Sequence, residues 1–297
     1  MSSHSPSHCQ RLDPLPWLLL LPAILLLGAF TYLPAISSLW HSLFTTAGAS
    51  AETRFAGLEN YQALLDDPIF WQAVRNNLWV ALITVPVSMA LALVMALWVN
   101  GRLPGRSWLR VAFFTPTMLP MVAAANVWLF FYTPEIGLLN RLLLSLGATP
   151  HNWLGDPDTV LGCLMVVTIW KEAGFFMLFY LAALQAISPE LLDAARLEAN
   201  SYWYRLRRVI WPLLAPTTLF IFVNALINAF KLVDHLFILT KGGPNNASTL
   251  LLYYLYETAF AFFDLPYAAA MTLFLLLLLA ACSALQFLFS RNKVHYR

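Results

Sequence analysis

Four ionisable residues interrupt stretches that are otherwise apolar. Lys171 and Glu172 fall near the middle of one, and Lys231 and Asp234 lie toward the end of another, with His235 directly after. A charge facing hydrocarbon costs roughly 2.5 to 3.5 kcal/mol on insertion scales, so such groups turn toward a bundle interior, a partner or a wet cavity. Asn126, Asn224 and Asn228 add amides to the same stretches. Asn224 and Asn228 are four apart and share a helix face that Lys231 approximately continues. The set Asn126, Lys171, Glu172, Asn224, Asn228, Lys231 and Asp234 is therefore a candidate polar path through a membrane. Two structural readings stay open beside it. Lys231 and Asp234, three apart, have the spacing of a local helical ion pair, and each Asn has the chemistry of an interhelical hydrogen bond. A neutral sugar would be read by amides and carboxylates with an aromatic floor, a phosphorylated polyol by cations such as Lys171 or Lys231.

Other chemistries find less support. No Gly-rich loop ending in Lys-Ser or Lys-Thr occurs, and the 12 glycines are scattered, so the chain is expected to hydrolyse no ATP itself. Neither a readable Ser-His-Asp set nor a His-Glu metal motif is present. Cys9, Cys163 and Cys282 lack metal-ligand spacing, and neither a disulfide nor a metal is expected. An ion-driven secondary transporter, with Glu172, Asp234 and His235 relaying protons, is the main alternative, although no internal repeat is evident. A net charge of +2 is too small to suggest nucleic acid.

The elements that must hold these groups follow from composition. Hydrophobic residues make up 60% of the 297 and charged residues 11%, against about a quarter charged in an ordinary soluble domain. Such a chain needs helices in lipid, because backbone polar groups must be satisfied internally across a hydrocarbon layer of ~30 Å. Apolar length places spanning helices near 17–39, 74–99, 108–132, 160–186, 210–235 and 267–289. The first is too long for an ordinary signal core. The expected architecture is an all-α integral membrane domain of six spanning helices over 17–289, with short segments 1–16 and 290–297 at its ends.

Six crossings put both termini on one side, and the basic residues choose it. With the termini cytoplasmic, Arg11, Arg102, Arg106, Arg110, Arg196, Arg205, Arg207, Arg208, Arg291, Lys293 and Arg297 lie inside, and only Arg54, Arg75, Arg141 and Lys241 outside. Trp40, Trp71, Trp108, Trp153 and Trp211 fall near predicted helix ends, at headgroup depth. Pro86, Pro116, Pro120 and Pro134 interrupt or bound the second and third helices, where kinks are expected.

Between the fourth and fifth helices, the loop of about 188–210 is too polar to span. Ser188 is a suitable N-cap, Pro189 suits the first helical position, and Glu190 complements the helix dipole. The short helix so begun is amphipathic: Leu191, Leu192, Ala195, Leu197 and Ala199 give an apolar side, and Glu190, Asp193, Arg196 and Glu198 a polar one. Such a helix can rest on a leaflet or lie in a partner's groove.

This loop resembles the cytoplasmic signature of binding-protein-dependent ABC permeases, a Glu-Ala-Ala with a spaced Gly and a later Ile-x-Leu-Pro. Asp193, Ala194 and Ala195 stand at the Glu-Ala-Ala positions, Ala199 at the Gly, and Val209, Ile210, Trp211 and Pro212 close the pattern. Asp keeps the charge, whereas Ala199 lacks the turning freedom of glycine. Further matches follow in family order: Phe55 to Tyr61 with Phe70-Trp71 and Asn76-Asn77, Pro134 with Gly137 to Asn140, Trp170 with Gly174, Ala183 to Ile187, and Thr240 with Gly242-Gly243-Pro244. The series covers about residues 15 to 290 and is similar to the carbohydrate-uptake branch, including maltose-type and glycerol-3-phosphate-type permeases. The ending Lys293 to Arg297 is reminiscent of the latter.

The resemblance implies a permease subunit for a sugar, polyol or glycerol 3-phosphate, multi-pass in a bacterial inner membrane. It implies a second permease, two ATP-binding subunits that carry the ATP and Mg, and an extracytoplasmic binding protein, with no cofactor on this chain. Residues 193–200, among them Asp193, Ala194, Ala195, Glu198, Ala199 and Asn200, would form the coupling helix that seats in the ATPase.

Overall fold

The computed structural model describes residues 14–47, 52–101, 104–198 and 201–291. Ala199, Asn200 and the tail from Asn292 lie outside the described residues. The chain opens with α1 (Pro14–Leu27), a π-helical turn at Gly28–Tyr32 and α2 (Leu33–His41), and then forms a hairpin of β1 (Phe44–Ala47) and β2 (Glu52–Phe55). After it come α3 (Glu59–Asp66), α4 (Pro68–Asn100), α5 (Arg106–Met118), α6 (Met121–Tyr132), α7 (Leu138–Ser145) and α8 (Val160–Gln185). The remainder is α9 (Pro189–Glu198), α10 (Tyr202–Arg205), a π-helical stretch at Leu206–Ile210, α11 (Trp211–Phe230), α12 (Asp234–Leu239), α13 (Leu251–Tyr256) and α14 (Leu265–Arg291).

Among the described residues five helical stretches are long and apolar enough to cross a membrane, at Leu18–His41, Pro68–Asn100, Val160–Gln185, Tyr202–Leu239 and Leu265–Gln286, and the bent pair α5 and α6 brings the number to six when it is counted as one span. The third expected helix is not continuous: α5 and α6 meet at 100°. Proline accounts for this. Pro120 has no N–H to continue the ladder and disfavours helical geometry at the residue before it, and Leu119 is extended, with ψ 134°. The fifth expected helix also breaks early. It ends at Phe230, and Val233 leaves helical space at φ −149°, so Lys231 and Asp234 do not share a regular turn and form no ion pair with each other. The hairpin was not expected; its register sets Phe44 opposite Phe55 and Thr45 opposite Arg54.

The second helix starts earlier than its apolar length implies. Asp67 caps it, its Oδ1 accepting from the amides of Ile69 at 2.8 Å and Phe70 at 3.2 Å, and Pro68 fills the first turn. At 33 residues α4 is about 50 Å long, more than a ~30 Å core needs. Its most extensive neighbour is α8. Ser88, Ala92 and Ala96, all fully buried and four residues apart, give α4 one face of small side chains of the kind that permits close helix packing in lipid. Phe176, Met177 and Tyr180 of α8 belong to the same core, joined by Leu214, Ile221 and Ala225 of α11.

Polar side chains fasten the loops at the end of the bundle where α4 begins. Asn77 donates to the Ala229 carbonyl at 3.1 Å and accepts from the Leu251 amide at 2.7 Å, closing the end of α11 and the start of α13 together. Asn76 donates to the carbonyls of Ala247 and Thr249. Asp67 Oδ2 accepts from Tyr254 at 2.6 Å and Tyr267 at 2.8 Å. Burial, and then Asp67, push the Tyr254 hydroxyl above its usual pKa. Gly242 has φ +78°, and a side chain there would strike the Thr249 hydroxyl, so the turn demands glycine.

Candidate functional site

Two helix breaks face one cavity. The α5–α6 break contributes Thr117 and Met121, the α11–α12 break contributes Lys231 to His235, and α8 supplies Thr168, Lys171, Glu172 and Phe175 between them, with Asn228 from the last turn of α11. The cavity has a volume of about 270 Å³. Irregular backbone at membrane depth survives only where protein or a water-filled cavity satisfies it, so two breaks beside one polar cavity have a common physical reason.

Lys171 holds the first break. Its Nζ donates to the carbonyls of Pro116 at 3.3 Å, Thr117 at 3.4 Å and Leu119. These are groups at the C-terminal end of α5, where intrahelical partners run out and the dipole favours a cation. Thr117 returns a bond from its hydroxyl to the Lys171 carbonyl at 3.1 Å. Gly174 makes the approach possible, since a Cβ there would run into the Phe113 carbonyl. Lys171 thus lines the cavity and caps the break at once.

Glu172 is half-buried in the cavity wall, and the Asn228 side chain approaches its carboxyl. Lys231 and Asp234 are exposed at the cavity mouth. His235 is fully buried, with Nε2 3.2 Å from the Thr168 hydroxyl. That hydroxyl donates to the Leu164 carbonyl at 2.9 Å, which assigns the imidazole proton to Nε2 and leaves Nδ1 as an acceptor, without a hydrogen-bond partner among the described residues.

Of the seven residues expected along a polar path, Lys171, Glu172, Asn228, Lys231 and Asp234 come together here. Asn126 and Asn224 do not line this cavity. Asn126 is exposed and donates back to the Val122 carbonyl at 2.8 Å; Asn224 is half-buried and donates to Phe220 at 2.8 Å. Each satisfies its amide within its own helix four residues back. Sequence reasoning missed Thr117 and Thr168. Thr168 could have been found, since it precedes Lys171 by three and Glu172 by four on the same helix face.

A second cavity, of about 560 Å³, lies under α9. The Ser188 hydroxyl accepts from the Leu191 amide at 3.4 Å, a long capping contact. Leu192 and Ala195 turn toward the bundle, where Leu184, Ile187 and Tyr202 share the cavity with them. Leu197 is 89% exposed, so the expected single apolar side is divided: Leu197 follows Ala195 by two residues, about 200° around the helix. Asp193 and Ala194 are exposed.

Broken helices thus flank one cavity within a bundle of five or six helices long and apolar enough to cross a membrane. The sequence matches the model for the binding-protein-dependent transport system inner membrane component over residues 88–294, and the chain belongs to that family. It is 32% identical to the lactose transport system permease protein LacF of Rhizobium radiobacter over 300 residues, which cover 99% of this chain and all of that one. It is 31% identical to the sn-glycerol-3-phosphate transport system permease protein UgpA of Agrobacterium fabrum, over 95% of this chain and 96% of the relative. The fold matches a chain of the crystal structure of a bacterial ABC transporter involved in the import of the acidic polysaccharide alginate, with a TM-score of 0.84 at 22% identity, across 95% of this chain and 97% of that one. Family membership removes the ion-coupled secondary transporter from consideration.

Proposed function

We propose that this chain is one of two permease subunits of an importer in a bacterial cytoplasmic membrane, and that the cavity between the two breaks is its share of the solute path. The observation that carries this is the convergence of Glu172, Asn228, Lys231 and Asp234 on one cavity at the breaks, in a chain of this family. Carboxylate, amide and an aromatic wall from Phe175 suit a polyhydroxy solute, and Lys231 at the mouth suits a phosphorylated one. The relatives that carry lactose and glycerol 3-phosphate in their names support the class of sugar, polyol or polyol phosphate.

ATP hydrolysis falls to two partner subunits, which hold the ATP and Mg, while an extracytoplasmic binding protein delivers the solute. The segment from Asp193 through Ala194, Ala195 and Glu198 to Ala199 and Asn200 seats against an ATP-binding subunit, and the exposed Leu197 gives it an apolar contact. Both termini and this segment are cytoplasmic, in keeping with the bias of basic residues.

Purification of the tagged chain from its native membrane, with identification of the accompanying subunits, tests the assignment. A second permease, an ATP-binding subunit and a binding protein are expected; recovery without any ATP-binding subunit would count against it. A reporter fusion near Asp66 is expected outside and one at Arg297 inside, and the reverse result would overturn the orientation.

A further inference from the structure

Among the side chains that line the cavity between the two breaks, hydrogen-bond donors and acceptors are unequally free. The Lys171 ammonium spends its N–H groups on the carbonyls of Pro116, Thr117 and Leu119. The Thr117 and Thr168 hydroxyls donate to the carbonyls of Lys171 and Leu164, and the Asn228 side chain faces Glu172. Lys231 alone keeps its side-chain donors free, and it is exposed at the mouth. The acceptors are in surplus. Asp234 forms neither a hydrogen bond nor an ion pair through its carboxylate among the described residues, and the Glu172 carboxylate has only Asn228 beside it. His235 borders the same cavity with an Nδ1 that lacks a donor.

We infer that this surplus of acceptors selects a neutral polyhydroxy solute over a phosphorylated one, with Glu172 and Asp234 accepting from its hydroxyls. Each hydroxyl brings the O–H that the carboxylates lack. A phosphate brings only acceptor oxygens and a charge of about −1.5 to −2 at neutral pH, so it enlarges the surplus and sets like charges against each other. The two lysines do not offset this. Lys171 is turned to the C-terminal end of α5, where its charge complements the helix dipole and its donors are used. Lys231 is answered by Asp234, which returns the mouth of the cavity to neutrality. Asp234 also stands in the first turn of α12, where the positive end of the dipole would otherwise favour an anion. Of the cations that the sequence offers to a phosphate, one is therefore spent and the other is balanced. The inference rests on the cavity being the solute path and narrows the solutes carried to neutral ones.

The test uses the full-length chain with its accompanying subunits in mild detergent, carrying Met121→Cys at a position that lines the cavity. The binding protein is left out, so that only the selectivity of the cavity is read. N-ethylmaleimide alkylates the introduced thiol, and peptide mass spectrometry follows the rate at residue 121. Glucose and glycerol are compared, at matched concentrations, with glucose 6-phosphate and glycerol 3-phosphate. The neutral members are expected to protect the thiol with at least about tenfold higher affinity than their phosphorylated partners. Adding Glu172→Gln and Asp234→Asn, which exchange carboxylates for amides that donate as well as accept, should bring the two kinds of solute within about threefold. Equal or better protection by the phosphorylated members would overturn the inference, as would protection by none of the four solutes or an unchanged preference after the two amide substitutions. Uptake by Asn228→Leu judges the solute path separately: reduced uptake combined with strong protection by the phosphates would leave the path standing and remove its neutral selectivity.

Discussion

Replacing Lys171 by Met should loosen the α5–α6 break more than any other single change in the cavity wall. The Lys171 ammonium serves three carbonyls, those of Pro116, Thr117 and Leu119. Hydrogen bonds to a charged group contribute about 1.5–3 kcal/mol each, and a buried acceptor left without its donor costs about 1–3 kcal/mol. The contacts at 3.3 and 3.4 Å are long, and the residue is only half-buried, so water can replace part of what Met removes. With two of the three contacts long and water replacing part of the loss, the total is about 3 kcal/mol, or roughly a hundredfold in the opening equilibrium of the break. Hydrogen–deuterium exchange in lipid nanodiscs reads this at the amides of residues 117–124. Exchange there should accelerate by about a hundred times in Lys171→Met and by less than about ten in Lys171→Arg, which keeps charge and donors, while the core of α4 stays protected in both. Acceleration of less than about threefold in Lys171→Met would refute the role of Lys171 as the cap of this break.

Three further changes probe other parts of the structure. Gly174→Leu should reduce the amount of folded protein in the membrane several-fold, because its side chain must displace the Phe113 backbone; immunoblotting of membranes against wild type measures this. Asn77→Leu strands the Ala229 carbonyl and the Leu251 amide and should cost about 2–4 kcal/mol, seen as a lower midpoint in thermal unfolding, whereas Asn77→Asp, which keeps an acceptor for the Leu251 amide, should lose less. Asp193→Lys reverses a charge in the helix assigned to coupling; normal membrane abundance, weakened retention of the ATP-binding subunit and loss of substrate-stimulated ATP hydrolysis are expected, and retained coupling would remove Asp193 from that role.

Much of this architecture was legible because hydrocarbon imposes a length on every crossing. The apolar run 160–186 appears almost unchanged as α8 (Val160–Gln185), and Pro116 and Pro120 announced a disturbance in the third crossing. The size of that disturbance was not legible. Pro120 permits the 100° bend, but Lys171, which caps it, reaches carbonyls some fifty residues away in sequence, and no local pattern in 108–132 encodes a donor supplied by α8. The break at Lys231 was hidden for a similar reason. Residues 226–235 contain neither Gly nor Pro, and what closes the end of α11 is Asn77, a distant partner. The amides show the limit of side-chain type as a guide. Asn126, Asn224 and Asn228 look alike in sequence, yet the first two bond back along their own helices and only Asn228 reaches the cavity. The hairpin of Phe44–Ala47 with Glu52–Phe55 escaped notice because two four-residue strands carry too short an alternation to stand out from a loop.

The central claim is that solute passes through the cavity at the two breaks, and uptake into proteoliposomes tests it most directly. The complete complex, with its binding protein outside and ATP inside, is supplied in turn with radiolabelled disaccharides, polyols and glycerol 3-phosphate. Wild type is predicted to take up at least one of them in an ATP-dependent manner, and Asn228→Leu, which removes the amide beside Glu172 while keeping the side-chain volume, is predicted to lose more than about tenfold of that rate with an unchanged melting midpoint, since a site built to hydrogen-bond a substrate is left with an unpaired group. Uptake by Asn228→Leu at the wild-type rate for the same solute would contradict the claim.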